Sequence, residues 1–274
     1  MTEQITAHYS RGGLLERLRE ALQEDGIDPD RPTLEALAPY DHFHGRGLEA
    51  TRELADQLSV AATDHLLDIG SGIGGPARYM ANRFGARVTG IDLTAAFCEV
   101  ARHLTQSVGP ADRVVFEQGN ALAMPFADAS FDGAYSMNVS MNIADKAGLY
   151  AEIFRVLRPG GWLVLSEIAQ GPSGAPDYPT PWAPTAASSF LASPTATRVG
   201  LEAAGFTIAT MRETTEQALA FGQRSRAIVE AGGKPPHRAV GLIHGDLAAE
   251  MAGNTSRGMA QARLVPIEIF CRRP

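Results

Sequence analysis

The chain has few cysteines, few basic residues and no long hydrophobic run, and each shortage excludes a class of protein. Two cysteines, Cys98 and Cys271, occur in 274 residues, so neither a disulfide framework nor a cysteine-rich metal site is expected. There are 24 basic and 31 acidic residues, for a net charge of −7. This balance disfavours a nucleic-acid partner, which requires a basic surface. No stretch reaches the roughly 20 apolar residues of a membrane helix.

The first residues carry neither the basic start nor the apolar run of a secretory signal, so a cytoplasmic location is expected. At 45% hydrophobic residues, the 274-residue chain can bury one sizeable core. We therefore expect a globular protein without a membrane or nucleic-acid partner, and a homodimer is compatible with this composition.

The most informative positive feature is a glycine-rich turn between two apolar strands, predicted at 65–69 and 87–91. A helix is expected from Pro76, because proline fits the first helical position. The second strand ends in Asp92, whose carboxylate can accept both hydroxyl hydrogens of a ribose. Glycines allow the sharp turn and let a ligand approach the main-chain N–H groups. The turn consists of Gly70, Ser71, Gly72, Ile73, Gly74 and Gly75, and the whole unit predicts a nucleoside site.

The residue two positions before the turn discriminates between nucleoside cofactors. Gly70, Gly72 and Gly75 also satisfy the G-x-G-x-x-G pattern of dinucleotide-binding proteins. Asp68 places a carboxylate inside the turn, where a pyrophosphate would be repelled and an ammonium group attracted. The segment 68–75 therefore resembles motif I of the class I S-adenosylmethionine (SAM) methyltransferases.

Three later segments resemble further motifs of that family, in the family's order. Residues 119–126 resemble the loop after the third strand, whose polar residue, here Asn120, holds the adenine amine. Residues 130–136 resemble the lead into the fourth strand, and 157–165 resemble the turn and fifth strand. Segments 41–51 and 141–146 are similar to the small-molecule methyltransferases grouped with sarcosine/dimethylglycine N-methyltransferases.

The resemblance implies an α/β, Rossmann-like fold with a seven-stranded, mostly parallel sheet, helices on both faces and a helical cap. Alternating patterns predict strands at 114–118, 133–137, 162–167, 206–211 and 264–270, and helices at 93–107, 147–157, 194–204, 214–231 and 237–261. Residues 1–60 are predicted to form the cap and 61–274 the SAM-binding domain, with insertions near 171–193 and 212–262. The Pro- and Gly-rich stretch 171–184 is expected to be a loop that acts as a lid.

The predicted cofactor contacts come mainly from the motif loops, and SAM is the predicted cofactor. Asp68 is expected to reach the methionine end of the cofactor and Asp92 its ribose, although each could serve only a local backbone role. The predicted cofactor residues are Asp68, Gly70, Ser71, Gly72, Gly74, Gly75, Asp92, Leu93, Asn120, Ala121 and Met137.

The acceptor side is predicted from the segment after the fourth strand and from the cap. Asn138, His44 and Tyr9 are the candidate catalytic residues, although relatives often have a histidine where Asn138 stands. No metal is expected, because His42 and His44 lack a third ligand. His237 and His244 are interpreted as ordinary helix residues. The predicted substrate-binding residues are Arg46, Met141, Asn142 and Trp182.

These features predict a SAM-dependent methyltransferase that acts on a small molecule by in-line displacement, with nitrogen slightly favoured as the acceptor atom. C- or O-methylation of an apolar metabolite is the alternative within the class. A nicotinamide-dependent oxidoreductase would share the glycine turn, and a non-catalytic SAM-binding protein would share every cofactor residue.

Overall fold

A computed structural model describes residues 13–108 and 111–274. The sheet has seven strands in the order β3-β2-β1-β4-β5-β7-β6. Only β7 runs antiparallel to its neighbours, β5 and β6. The predicted seven-stranded, mostly parallel sheet is therefore confirmed. The strands are β1 (His65–Ile69), β2 (Arg87–Asp92), β3 (Val114–Gln118), β4 (Phe131–Met137), β5 (Leu157–Gln170), β6 (Thr207–Glu213) and β7 (Leu264–Arg272).

Three helices precede the sheet, four alternate with its strands, and three lie between β6 and β7. They are α1 (Leu14–Glu24), α2 (Leu34–Asp41), α3 (Leu48–Ala55), α4 (Gly75–Phe84), α5 (Ala95–Val108), α6 (Lys146–Val156), α7 (Pro194–Ala203), α8 (Thr215–Glu230), α9 (Ala239–His244) and α10 (Ala248–Ala260). None of the helices in the described part of the chain is long and apolar enough to cross a membrane.

Neighbouring strand residues point to opposite faces of the sheet, and both faces are covered by helices. Leu66 belongs to a buried cluster with residues of α3, α4 and α5. Leu67, the next residue, belongs to a cluster with residues of α6 and α7. This arrangement explains why consecutive residues of β1, Leu66 and Leu67, are both apolar and buried.

The strand order reverses at β1, which pairs with β2 on one side and with β4 on the other. In an open parallel sheet, the crevice at the carboxyl ends of strands that flank such a reversal is the usual ligand site. The glycine turn leaves β1 at this point. The fold therefore places the predicted nucleoside-binding turn at the crevice.

Two helical features differ from the sequence-based expectation. An additional helix, α2, follows the helix-breaking residues Gly26, Pro29 and Pro32 and includes Pro39. The helix predicted at 237–261 is divided into α9 and α10, because Gly245 adopts φ 58° and ψ −128°, which no α-helix accommodates. The predicted loop at 171–184 contains no helix or strand, only an isolated bridge between Thr180 and Ala183.

Candidate active site

A cavity of about 290 Å³ lies at the carboxyl ends of β1, β2 and β4. Residues of the glycine turn, of the loops after β2, β3, β4 and β5, and of the helical segments before β1 and between β6 and β7 line it. The predicted residues that line it are His44, Asp68, Gly70, Ser71, Gly72, Asp92, Leu93, Asn120, Ala121, Met137, Asn138, Met141, Asn142 and Trp182.

The first half of the glycine turn lies directly against the cavity. Gly70 and Gly72 have φ angles of 72° and 53°, a region that favours glycine. A Cβ atom on Gly70 would lie 2.3 Å from a methyl group of Val139. The N–H groups of Gly70 and Ser71 donate to the Ile91 carbonyl at 2.8 and 3.1 Å, which anchors the turn to the end of β2.

The second half of the turn does not line the cavity, which corrects the prediction for Gly74 and Gly75. A Cβ atom on Gly74 would lie 2.4 Å from the Phe116 ring, and one on Gly75 would lie 2.4 Å from the Asp41 carbonyl oxygen. These glycines are required because α4 packs closely against β3 and the end of α2. Their role in the described structure is packing rather than ligand contact.

Asp68 projects from β1 into the cavity and is buried, with 2% exposure. Burial raises the pKa of its carboxyl to about 8, with a smaller opposing effect from the nearby Tyr135 hydroxyl. Its Oδ2 atom has no hydrogen-bond partner within the described residues. A buried carboxyl oxygen without a partner, in a cavity wall, is suited to receive a cationic group.

Asp92 ends β2 with its carboxylate fixed by two main-chain groups. Oδ1 accepts from the Thr94 N–H at 2.8 Å, and Oδ2 accepts from the Gly72 N–H at 2.9 Å. Burial raises the pKa of Asp92, while these two bonds lower it. Each carboxylate oxygen can accept a second hydrogen bond. The local role and the predicted ribose role are therefore compatible.

Asn120 lies on the loop after β3 and lines the cavity. Its Oδ1 accepts from the Leu122 N–H at 3.0 Å, which forms a local turn. The side-chain oxygen retains one acceptor position. The structure thus shows the turn role directly and leaves one acceptor position for the predicted adenine contact.

The loop after β4 is held in place by a buried carboxyl that the sequence analysis did not identify. Oε2 of Glu167 accepts from the N–H groups of Val139 and Ser140 at 3.0 and 3.1 Å. Burial raises the pKa of Glu167 to about 7. Asn138 at the start of this loop adopts φ 58°, an uncommon conformation for a residue other than glycine. Glu167 therefore positions the part of the wall that carries Asn138, Met141 and Asn142.

His44 lines the cavity, but both of its ring nitrogens are engaged. Nδ1 lies 3.1 Å from the Gly45 carbonyl oxygen, and Nε2 lies 2.9 Å from the Thr51 hydroxyl. Since a carbonyl only accepts, Nδ1 carries the proton and the hydroxyl donates to Nε2. Burial lowers the pKa of His44 well below its ordinary value, so the ring is neutral. In this arrangement His44 forms a wall and lacks a nitrogen for proton transfer, contrary to the predicted catalytic role.

Arg46 does not reach the cavity, which corrects its predicted contact with substrate. Its guanidinium binds both carboxylate oxygens of Glu53, at 2.9 and 2.8 Å. Trp182, by contrast, lines the cavity and donates from Nε1 to the Ser189 hydroxyl at 2.9 Å. Tyr9 lies outside the described residues.

Several lining residues were not predicted from the sequence. Phe43 lies within a segment that carries the subgroup resemblance, so that resemblance could have identified it. Pro181 precedes the predicted Trp182. Val240, Ile243 and His244 belong to α9, whose amphipathic pattern does not distinguish a cavity wall from an ordinary core face. In residues 13–108 and 111–274, no group of three or more His, Cys, Asp or Glu side chains is arranged to hold a metal ion.

Comparison with known proteins identifies the central part of the chain. Residues 67–165 match the family described as "Methyltransferase domain". The O-methyltransferase cnsE of Penicillium expansum is 38% identical over 141 residues, which cover 52% of this chain and 49% of that protein. The chain spans less than half of the length of the first curated relatives that it matches.

Solved structures resemble the chain over nearly its whole length. Geranyl diphosphate C-methyltransferase from Streptomyces coelicolor A3(2) has a TM-score of 0.72 at 20% identity, with 100% of this chain and 98% of that one covered. A Galdieria sulphuraria protein provisionally assigned as a sarcosine dimethylglycine methyltransferase has a TM-score of 0.68 at 16% identity, covering 94% and 98%. At these identities the likeness shows the fold alone. Residues 67–165, which run from β1 into β5, therefore belong to the methyltransferase domain family.

Proposed function

We propose that the protein is a SAM-dependent methyltransferase acting on a small-molecule acceptor. The observation that supports this most strongly is the pair of carboxyl groups in the cavity wall. Asp68 offers an unpartnered oxygen beside the glycine turn, and Asp92 offers two fixed oxygens at the end of β2. Their places fit the ammonium group of a methionine moiety and the hydroxyl groups of a ribose.

SAM supplies an electrophilic methyl group on a positively charged sulfonium. The remaining task of the protein is to align the acceptor atom with that methyl group and to exclude water. Met137 and Asn138 lie where β4 ends, next to the glycine turn of β1. We assign to Asn138, which Glu167 holds in place through the adjoining loop, the role of orienting the acceptor by its side-chain amide.

Nitrogen is our preferred acceptor atom. A neutral amine carries its own lone pair and requires no base, and the two nitrogens of His44 are already engaged. The resemblance to sarcosine/dimethylglycine methyltransferases also favours nitrogen. The second candidate is a carbon or oxygen atom of an apolar metabolite, which the apolar side chains of Met141, Trp182 and Ile243 in the wall favour.

We also propose that residues outside the central sheet cover the bound ligands. Phe43 and His44 come from the predicted cap at 1–60, Pro181 and Trp182 come from the predicted insertion near 171–193, and Ile243 comes from that near 212–262. Each of these segments adds side chains to the cavity wall beyond the sheet. A cover of this kind would exclude bulk water and restrict the acceptor to small molecules.

Two measurements test the proposed function. Calorimetric titration should show binding of S-adenosylhomocysteine and none of NADH, since a pyrophosphate would meet Asp68. An assay of S-adenosylhomocysteine release, run with a panel of small amines, phenols and enols, should then show turnover. Binding of NADH in the same cavity would support an oxidoreductase instead. Cofactor binding without turnover of any panel compound would favour a non-catalytic SAM-binding protein.

A further inference from the structure

The titratable side chains that line the cavity are all aspartate or histidine in the part of the chain that the structure describes. Asp41, Asp68, Asp92 and Asp145 line it, and neither a lysine nor an arginine of residues 13–108 and 111–274 does. Asp68 and Asp92 lie at the ends of β1 and β2, in the half of the crevice assigned to the cofactor. The loop after β4, which carries Asp145, lines the other half of the cavity, here called the acceptor half. The acceptor half therefore also has acidic rather than basic character.

The basic side chains near the acceptor half bind other groups of the protein. Nζ of Lys146, one residue after Asp145, donates to the carbonyl oxygens of Ser140, Ile143 and Phe190 at 2.5, 2.5 and 2.7 Å. Burial lowers the pKa of Lys146 to about 8, so the side chain is about half ionised at pH 8. Lys146 thus stabilises the loop after β4 and does not line the cavity.

Arginines close to the cavity are engaged in the same way. Arg46 binds Glu53 through two hydrogen bonds, and Arg78 binds Asp41 at 2.8 Å. Arg238, two residues before Val240, pairs with Asp25 at 2.8 Å. Each arginine would have to break an ion pair before it could meet an anionic ligand.

The remainder of the acceptor half is apolar, with amide groups as its polar components. Asn138 and Asn142 offer neutral hydrogen-bonding groups between the side chains of Met141, Trp182 and Ile243. An anionic group in such surroundings would lose its hydration without gaining a counter-charge, a loss of several kcal/mol for a buried ion. A neutral polar group would lose much less, because an amide can replace its water.

From these contacts we propose that the acceptor carries no anionic group: it is a largely apolar small molecule with one or two hydrogen-bonding groups. This inference rests on the proposed function and narrows its substrate class. It separates the protein from enzymes whose acceptors carry a carboxylate or a diphosphate, including the sarcosine and geranyl diphosphate methyltransferases that share its fold. Among the possible nitrogen acceptors, it excludes amino acids and leaves amines that carry no acidic group.

A matched pair of probes tests the proposal on the full-length protein. The complex with S-adenosylhomocysteine is titrated at pH 8 with 1-decanol and with decanoate, and the midpoint of thermal unfolding is followed. Decanoate should need a concentration about tenfold higher or more for the same rise in midpoint. An equal response to the two probes, or a larger one to decanoate, would overturn the inference.

A charge introduced into the wall supplies the matched control. Val240 lines the cavity from α9 and is half-buried, so Val240→Arg can place a cation there, whereas Val240→Gln adds a polar group without charge. We expect Val240→Arg to reverse the preference toward decanoate and Val240→Gln to keep the preference for decanol. An unchanged preference in Val240→Arg would contradict the proposal. If the wild-type protein does not bind S-adenosylhomocysteine at all, that result would instead contradict the proposed function itself.

Discussion

Binding of the cofactor should depend on pH through Asp68, and substitution by asparagine should remove that dependence. With its pKa near 8, Asp68 is about one-tenth ionised in the free protein at pH 7. An ammonium group beside the carboxyl favours the ionised form. Ionising the carboxyl at pH 7 costs about 1.4 kcal/mol, which is roughly tenfold in the dissociation constant.

The affinity for S-adenosylhomocysteine should therefore rise close to tenfold from pH 6 to pH 7 and level off above about pH 8. At pH 7, about one proton should be released for each ligand bound. Calorimetric titrations in two buffers of different ionisation enthalpy measure that number directly. Any titration of the ligand's own amine is shared by the wild-type protein and the Asp68→Asn variant, so the difference between them isolates Asp68. An identical pH dependence in the two proteins would refute the assignment of Asp68 to the ammonium group.

The same shift affects the stability of the ligand-free protein. Since the folded-state pKa of Asp68 lies above its unfolded value of 3.8, the folded protein binds more protons between about pH 4 and pH 8. Its free energy of unfolding should fall as the pH rises through this range, by about 1 kcal/mol per pH unit from this group. Urea unfolding at several pH values should show a shallower decrease for Asp68→Asn.

Four further predictions concern other parts of the site. Asp92→Ala should weaken the binding of S-adenosylhomocysteine by about 1.5–3 kcal/mol in calorimetry, which is the usual net free energy of a hydrogen bond to a charged group. Glu167→Ala should lower the free energy of unfolding by about 1–3 kcal/mol, because two buried N–H groups lose their acceptor, and Glu167→Gln should restore most of it. Gly75→Ala should lower the free energy of unfolding, measured with urea, by about 1–3 kcal/mol, since the Cβ of the alanine would lie 2.4 Å from the Asp41 carbonyl oxygen. Limited proteolysis should cut the 171–184 segment more slowly when S-adenosylhomocysteine is bound.

Each of these predictions has an outcome that would count against it. An unchanged affinity in Asp92→Ala would move the ribose contact to another residue. Equal stability of Glu167→Ala and the wild-type protein would show that other groups hold the loop after β4. Gly222→Ala, at a half-buried position of α8 with open space around a Cβ, is the control for Gly75→Ala and should leave stability nearly unchanged or raise it. Equal cleavage of 171–184 in the free and bound protein would argue against a lid.

The central features of the fold could be predicted because they depend on local sequence. The strand before the glycine turn, the turn itself and Asp92 lie within 28 residues, and their spacing defines one structural unit. β1 and β3 have the predicted bounds, and β2 extends by one residue to include Asp92. Apolar runs of five or six residues that end in turn-forming residues are sufficient to mark strands covered on both faces.

One missed feature is local: α2 begins at an ordinary Thr33 cap, whose hydroxyl accepts from the Ala36 N–H at 3.2 Å, but the nearby prolines obscured this signal. The other missed features depend on contacts between distant residues. The pairing of Arg46 with Glu53 and the approach of Asp41 to Gly75 arise only when helices pack. Likewise, Glu167 is one polar residue at the end of an apolar strand. Its role depends on where the loop after β4 returns to the sheet.

The structure of a co-crystal with S-adenosylhomocysteine would test the central claim most directly. We predict that the ribose hydroxyl groups lie on Asp92, the ammonium group on Asp68 and the sulfur atom beside Asn138, facing the apolar half of the cavity. A ligand whose ribose lies away from Asp92, or whose sulfur points away from Asn138 and Trp182, would contradict the assignment of this cavity to methyl transfer.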